Sequence, residues 1–260
     1  MGVPENHYGH ASSLLVNQNL LIVQFDQGIS GDGKAKLVAL DCATGRTVWT
    51  TVRECGSSWA SPIMTEICGP GQVIACANPW VMAYDVNTGK ELWRISCLGG
   101  EIAPSPVYAD GLVYAVNQGS ALVALRPDGR GDVSSTHIVW KSEDDLPDIC
   151  SPLSSSKQTW ILMTYGTFTC YQAKDGKKLY TRELDMEFNA SPSLTGGRLL
   201  LISLEGRLLW LDPGPEFKEL ARAELGEKCK TSPAFSPGRM FIRTATHLLA
   251  VKMSKAGSTP

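Results

Sequence analysis

The sequence contains an internal repeat. Residues 39–49 and 83–93 share the pattern Ala-x-Asp-x-x-Thr-Gly-x-x-x-Trp with identical spacing, so that Trp49 and Trp93 lie 44 residues apart. A fixed period of roughly 20–50 residues is typical of solenoids, propellers and related arrays. The repeat therefore limits the possible folds more strongly than any single segment of the chain.

A second marker, a Ser that is usually followed by Pro, precedes each copy in the same phase. It occurs six times, at Ser12-Ser13, Ser61-Pro62, Ser105-Pro106, Ser151-Pro152, Ser191-Pro192 and Ser232-Pro233. The two markers together predict six repeats and a short tail. Their approximate bounds are 11–53, 60–97, 104–143, 150–184, 190–225 and 231–253, with the tail at 254–260.

Each repeat consists of short β-prone runs separated by turn residues. In the third repeat, Asp110-Gly111 lies between two apolar runs, which is a strong hairpin signal. Four short strands in this period are typical of a propeller blade. We therefore predict an all-β fold, a β-propeller of about six four-stranded antiparallel blades in one domain over residues 1–260. Residues 219–230 look locally helical, but their phase predicts an outer strand and the loop after it.

The repeat motif also has a packing interpretation. Asp41 and Asp85 can accept backbone N–H groups in a turn, and Gly45 and Gly89 can adopt the left-handed conformation there. The Trp four residues later lies on the outer strand, which predicts that Trp49 and Trp93 are wedges between neighbouring blades. Tyr180 and Leu220 stand at the equivalent place in later repeats, which predicts looser contacts between those blades.

Composition excludes several classes of protein. The formal net charge is −2 and neither sign forms a long block, which argues against nucleic acid as the main partner. No apolar run is long enough to span a membrane. The eight cysteines form no CxxC motif and are expected to be scattered buried thiols, with Cys68 and Cys76 as the first pair to test for a disulfide. We expect a monomer.

The motif Ala-x-Asp-x-x-Thr-Gly-x-x-x-Trp resembles the repeats of pyrroloquinoline-quinone-type (PQQ-like) β-propellers. The resemblance covers residues 11–253 and is strongest in the first two repeats. It implies one of two functions. The first is a non-catalytic scaffold that binds a protein or peptide, similar to the scaffold lipoprotein of the bacterial outer-membrane β-barrel assembly machinery. The alternative is a PQQ-dependent alcohol or sugar dehydrogenase, or a fragment of one.

The resemblance also makes cofactor and location predictions. Dehydrogenases of this family typically stack the quinone on a disulfide between adjacent cysteines and hold Ca²⁺ beside it, whereas this sequence has no Cys-Cys pair. We therefore expect no cofactor, no metal site and no catalytic residues, with PQQ and Ca²⁺ only under the alternative. The family is usually exported, which predicts a periplasmic or secreted protein. Residues 1–8 contain no basic region followed by an apolar stretch, so a cytoplasmic location stays open.

The loops before the Ser markers are the candidate binding site, because loops on a propeller rim commonly carry function. Trp59 there is either a stacking platform or a plug packed into the channel. The edge strands offer a second binding mode, by addition of an extended peptide. The predicted rim residues are Tyr8, His10, Trp59, Glu101, Asp148, Glu187, Asn189 and Lys230. The alternative is that these residues are merely solvated.

The sixth repeat contains only three of the four expected strands. We expect from this that the chain is the C-terminal part of a larger ring of seven or eight blades. A compact six-bladed ring is the alternative.

Overall fold

The structure is a computed structural model and describes residues 5–65 and 71–253. Every regular element in these residues is a β-strand. The prediction of an all-β chain built from short antiparallel sheets is confirmed. The chain divides into two compact units, residues 1–148 and 149–260. That residues 1–260 form one domain, with the repeat bounds given above, stays a prediction.

The first unit contains three sheets, each with four antiparallel strands in chain order, and one short additional strand, β12 Gly131–Asp132, which joins the second sheet. The first sheet is β1 Leu15–Asn17, β2 Leu20–Phe25, β3 Lys36–Asp41 and β4 Thr47–Val52. The second is β5 Ile63–Thr65, β6 Gln72–Ala77, β7 Trp80–Asp85 and β8 Glu91–Ser96. The third is β9 Val107–Ala109, β10 Leu112–Val116, β11 Leu122–Leu125 and β13 Ile138–Ser142.

The second unit also contains three sheets, and the last of them has three strands within the described residues. The fourth sheet is β14 Leu153–Ser154, β15 Gln158–Leu162, β16 Thr167–Gln172 and β17 Lys178–Glu183. The fifth is β18 Ser193–Thr195, β19 Arg198–Ile202, β20 Arg207–Leu211 and β21 Glu219–Glu224. The sixth is β22 Ala234–Ser236, β23 Arg239–Arg243 and β24 Leu248–Lys252.

Strand β21 is the segment that looks helical in the sequence. It pairs with β20 along its whole length and its residues are exposed. The phase of the repeat predicted this strand, and that prediction is confirmed. Sheet pairing therefore overrides the local helical preference, because tertiary context routinely outweighs intrinsic helix propensity.

The Asp-x-x-Thr-Gly turns join the third and fourth strands in the first two sheets. One carboxylate oxygen of Asp41 accepts hydrogen bonds from the Ala43 and Thr44 backbone N–H groups and from the Thr44 hydroxyl, at 2.7–3.1 Å. Asp85 makes the same set of bonds in the second sheet. Gly45 has a φ of +70°, and Gly89 has the same value. The motif is thus a self-bonded turn whose last residue must tolerate positive φ.

The same register shift lies between the third and fourth strands of each of the first five sheets. In the first two sheets the third-strand alanine lies opposite the Trp, as Ala39 opposite Trp49 and Ala83 opposite Trp93. The residue before each Trp is the extra residue of a β-bulge. The five shifts lie at Ala39/Leu40, Ala83/Tyr84, Ala124/Leu125, Cys170/Tyr171 and Trp210/Leu211.

The aromatic side chain on the fourth strand packs against the next sheet. The Trp49 indole N–H donates to the Val86 carbonyl at 3.1 Å, and a Cβ at Gly89 would come within 2.4 Å of its ring. The Trp93 indole N–H donates to the carbonyl of Pro127, in the loop after β11 of the third sheet, at 3.0 Å. The predicted wedges between neighbouring sheets therefore exist in the first unit. In the second unit Tyr180 similarly contacts the Phe217 ring at 5.9 Å.

The fifth sheet departs from the alignment made on sequence. Ala221, not Leu220, lies opposite Trp210, so Leu220 is the extra residue of the bulge and is 40% exposed. The placement of Leu220 at the wedge position is therefore wrong. The reason is the turn before β21, which is one residue longer than the Asp-x-x-Thr-Gly turn: the Asp212 N–H donates to the Lys218 carbonyl, whereas the Asp41 N–H donates to the Arg46 carbonyl.

One strand is added to the second sheet from the insertion in the third repeat. Strand β12, Gly131–Asp132, pairs in parallel with β8 on its free side, so this sheet has five strands. Gly131 lies opposite Trp93, and Asp132 lies opposite Arg94. A fourth strand of this chain can therefore accept a further extended segment.

One predicted cysteine pair and the C-terminal tail lie partly or wholly outside the described residues. Cys76 is a buried free thiol, and its predicted partner Cys68 lies outside the described residues, as does the tail at 254–260. Burial raises the pKa of the Cys55 thiol to about 12. No stretch of the described chain forms an apolar helix of membrane-spanning length.

Candidate functional site

The Ser marker links neighbouring sheets through its hydroxyl. The Ser13 N–H donates to the Ser61 hydroxyl at 2.8 Å, and the Ser61 N–H donates to the Ser105 hydroxyl at 2.9 Å. In the second unit, Ser151, Ser191 and Ser232 form the same series, with both bonds at 2.9 Å. Sequence reasoning used the marker only as a phase signal. The one sign of this role in the sequence was that the same position is a Ser in each repeat, and not simply some small residue.

The bonded serines also show which residues of the rim loops are equivalent from one repeat to the next. The first strand of each sheet begins two residues after the bonded Ser, which is Ser13 in the first repeat. Ala11 therefore stands where Trp59 stands in the second repeat, and His10 lies one residue earlier. The loop before β5 is joined to the loop before β9 by a bond from the Trp59 N–H to the Ile102 carbonyl at 2.9 Å.

Tyr8 and Trp59 are two predicted rim residues that the structure brings into ring contact. Their ring centroids are 5.2 Å apart with an interplanar angle of 63°, an edge-to-face arrangement. Tyr8 is 71% exposed, whereas Trp59 is half-buried. The Trp59 indole N–H is inaccessible and has no hydrogen-bond partner among the described residues. The Trp59 side chain is thus enclosed at its indole N–H and partly accessible to solvent elsewhere.

The segment that carries Tyr8 is anchored, although residues 5–10 form no strand. The Gly28 N–H donates to the Glu5 carbonyl at 3.0 Å, and the Asn6 side chain donates to the Asp26 carbonyl at 3.2 Å. His10 packs against Phe25, with ring centroids 4.3 Å apart. This segment therefore holds Tyr8 and His10 in defined positions.

The remaining predicted rim residues differ in exposure. The Glu101 side chain is exposed, and its carbonyl accepts from the Asn117 side chain at 2.6 Å. Asp148 is half-buried at the end of the first unit. Glu187 and Lys230 are exposed and Asn189 is half-buried in the second unit. Their part in binding stays a prediction.

A fully buried ion pair in the first unit escaped sequence reasoning. The Arg53 guanidinium donates to the Asp26 carboxylate, and both side chains are inaccessible to solvent. Arg53 also donates to the Tyr84 hydroxyl at 3.2 Å, and the Gln24 amide donates to Asp26 at 2.7 Å. Burial raises the pKa of Asp26, and the Arg53 charge opposes that shift. Nothing in the repeat pattern marks this pair, because each member occurs once.

A cavity of about 520 Å³ lies beside this pair, at the C-terminal end of β4. A Gly-rich loop, the end of β4 and the Pro79-Trp80 turn form its walls. The Arg94 guanidinium lies 5.1 Å from the centre of the Trp80 ring and bonds the Glu54 carboxylate at 3.3 Å. The lining residues are Ser30, Gly31, Gly33, Val52, Arg53, Glu54, Pro79 and Trp80.

The metal and quinone alternatives depend on side chains that could act as ligands. Within residues 5–65 and 71–253, no three His, Cys, Asp or Glu side chains come together as a metal site requires. The expectation that PQQ and Ca²⁺ bind only under the dehydrogenase alternative stays a prediction.

Comparison with known proteins agrees with this architecture. Residues 33–146 match the family model described as outer membrane protein assembly factor BamB. The chain is similar to the crystal structure of BamB from Moraxella catarrhalis, with 17% identity and a TM-score of 0.70 over 93% of this chain and 72% of that one. It is also similar to the computationally designed Ika8 protein, with 11% identity and a TM-score of 0.69 over 96% and 73% of the two chains. No curated protein matches by sequence. The predicted β-propeller fold is confirmed.

Proposed function

We propose that this chain, a PQQ-like β-propeller that resembles BamB, is a non-catalytic scaffold that binds a protein or peptide partner. The Tyr8–Trp59 pair is the observation that carries the proposal. An exposed aromatic side chain supported by a second, half-buried one offers a rigid apolar contact surface at low conformational cost. The match of residues 33–146 to the BamB family model supports a partner that is itself a protein.

The charges of the other rim residues fit a peptide better than a nucleic acid. Glu101 in the first unit and Glu187 in the second are acidic, and Lys230 is basic, so neither group of predicted binding residues has the excess of positive charge that a nucleic acid requires. We further infer that the protein is a monomer and acts outside the cytoplasm, by likeness to an outer membrane assembly factor. Sedimentation of the purified protein and fractionation of the source cells test these two points.

Site-specific photocrosslinking tests the binding function. A benzophenone amino acid in place of Tyr8 is expected to capture one discrete protein from a cell-envelope extract, and Trp59→Ala is expected to weaken that capture. The matched control carries the same group in place of Tyr165, which is 75% exposed in the second unit. Equal capture from both positions, or no capture above background from position 8, contradicts the proposal.

A further inference from the structure

We propose that the free edge of β4 binds an extended segment of a partner protein in parallel, and that the cavity at the end of β4 takes an apolar side chain of that segment. The proposal rests on the proposed function, because it specifies a place where an extended partner segment binds. It concerns a surface separate from the Tyr8–Trp59 pair.

An equivalent interaction already occurs within this chain, between β12 and β8. Strand β12 runs parallel to β8, and the residue after it, Val133, donates its N–H to the Arg94 carbonyl at 3.0 Å. The Ser96 N–H then donates to the Ser134 hydroxyl at 2.9 Å. The Val133 side chain is buried and belongs to the core of the second and third sheets. The added segment is thus held by main-chain bonds and by one apolar anchor.

Strand β4 presents the equivalent edge without a cover. Trp49 on β4 corresponds to Trp93 on β8, because each lies opposite the third-strand alanine. Thr50 and Val52 therefore correspond to Arg94 and Ser96. Within the described residues, β4 pairs with β3 on one side and is the terminal strand of its sheet.

The side chains of β4 distinguish it from the other uncovered fourth strands. Charged residues on an edge strand discourage pairing with a further strand. Strand β4 contains only Thr, Val and Trp, and its Val48 and Val52 are 51% and 55% exposed. The charged residues on the other three are Lys141 on β13, Lys178, Arg182 and Glu183 on β17, and Glu219, Arg222 and Glu224 on β21. Strand β24, the last strand of the sixth sheet, ends on Lys252.

The direction of a parallel segment leads it to the cavity. An extended chain advances about 3.3 Å per residue, so a residue opposite Thr50 is followed within about three residues by one level with the cavity. Val52, Pro79 and Trp80 provide apolar walls there. The charged groups around the cavity form ion pairs, Arg53 with Asp26 and Glu54 with Arg94. The Arg53 Nη2 group has no hydrogen-bond partner among the described residues, but it is inaccessible to solvent. An apolar side chain therefore fits this cavity better than a charged one, because it leaves those pairs intact.

The first test uses a fluorescent peptide, acetyl-Lys-Thr-Val-Thr-Val-Phe-amide, and its N-methylated forms. In a parallel pair only alternate residues bond the neighbouring strand. N-methylation of one alternate set of residues is therefore expected to abolish binding in fluorescence anisotropy, whereas methylation of the other set leaves the affinity within about twofold. Equal affinities of the two methylated peptides, or no binding of the parent peptide, overturn the proposal.

The second test concerns the cavity. Replacement of the peptide's Phe by Gly is expected to weaken binding by about tenfold, because the buried aromatic contact is lost. Trp80→Ala is expected to weaken the Phe peptide by a similar factor and to leave the Gly peptide unchanged, while Tyr165→Ala changes neither. An unchanged affinity of the Phe peptide for the folded Trp80→Ala variant overturns the assignment of the cavity. Failure of these tests with intact capture at position 8 leaves the proposed function standing. The reverse result rejects the Tyr8–Trp59 pair as the contact surface and keeps the β4 site.

Discussion

The second and fifth sheets carry the same pair of large and small side chains on opposite strands. In the second sheet, Ala83 on the third strand lies opposite Trp93 on the fourth. In the fifth sheet, Trp210 is on the third strand and Ala221 is on the fourth. Both Trp side chains contribute to a core shared with the following sheet, which Val113 lines in one case and Met240 in the other.

This difference shows what the repeat has to preserve. Directly opposed residues in an antiparallel pair project from the same face with Cβ atoms about 5 Å apart, so either can fill the same space. The repeat therefore constrains the register of the pair and the combined volume of its two side chains. It does not constrain which of the two strands carries the large side chain. The Trp side chain is less buried when it is on the third strand, since Trp93 is fully buried and Trp210 is only half-buried.

Removing the wedge of the second sheet is expected to have the largest effect. Trp93→Ala should lower the free energy of unfolding by about 3–5 kcal/mol, because it leaves a cavity and removes the donor to Pro127. Urea denaturation followed by circular dichroism measures this loss. Trp93→Phe, which keeps most of the bulk, should lose clearly less. A loss below about 1 kcal/mol for Trp93→Ala would show that the wedge is not important.

The motif glycines provide the next comparison. Gly45 and Gly89 have the same φ, but a Cβ at Gly45 meets open space, whereas one at Gly89 would collide with the Trp49 ring at 2.4 Å. Gly45→Ala should therefore cost about 1–2 kcal/mol, from the backbone alone. Gly89→Ala should cost about 2–4 kcal/mol, because strain against Trp49 is added. Equal losses in urea denaturation would mean that the Trp49 contact has no energetic role.

The fifth sheet tests the exchanged pair. Trp210→Ala should lower the free energy of unfolding by about 2 kcal/mol, since the side chain is only partly buried. Leu220→Ala, in the bulge beside it, should change that value by less than about 0.5 kcal/mol. The reverse order in thermal or urea unfolding would favour the sequence alignment over the register described above.

The smallest effect concerns the sixth sheet, whose β23–β24 turn is held by Glu227. Its carboxylate accepts from the Thr244 hydroxyl at 2.7 Å, from the Thr246 N–H at 3.1 Å and from His247. These bonds, that of Thr244 first, lower the pKa of Glu227 to about 2. The Glu227 carboxylate therefore binds a proton less readily in the folded state than in the unfolded state. The stabilisation that its hydrogen bonds provide is present above about pH 4.5 and is lost as the pH falls towards 2.

Glu227→Gln should remove this part of the pH dependence. The measurement is the unfolding midpoint between pH 6 and pH 2.5 for the variant and the parent protein. The exposed Glu216→Gln substitution makes the same change in charge and serves as the control. Parallel curves for the parent and Glu227→Gln proteins would contradict the assignment.

The parts predicted from sequence are those that recur along the chain. Two copies of a turn motif and six Ser markers were enough to predict sheets of short strands, because each repeat has to form the same local hydrogen bonds. Leu220 was misplaced because a turn one residue longer is invisible without the pairing register. The Ser13–Ser61–Ser105 bonds were missed for a related reason, since a hydroxyl that links two sheets leaves no local signal beyond its own recurrence.

The sequence by itself determined the all-β class, the strand order within each sheet apart from β12, and the self-bonded turn that ends on Gly45 or Gly89, because these depend on contacts between residues close together in the chain. The tertiary structure alone decided which residue faces which between strands and sheets. The Arg53–Asp26 pair, the cavity beside Trp80 and the addition of β12 to β8 all join residues more than 20 positions apart. Such contacts occur once and follow from packing, so no periodic pattern in the sequence could reveal them.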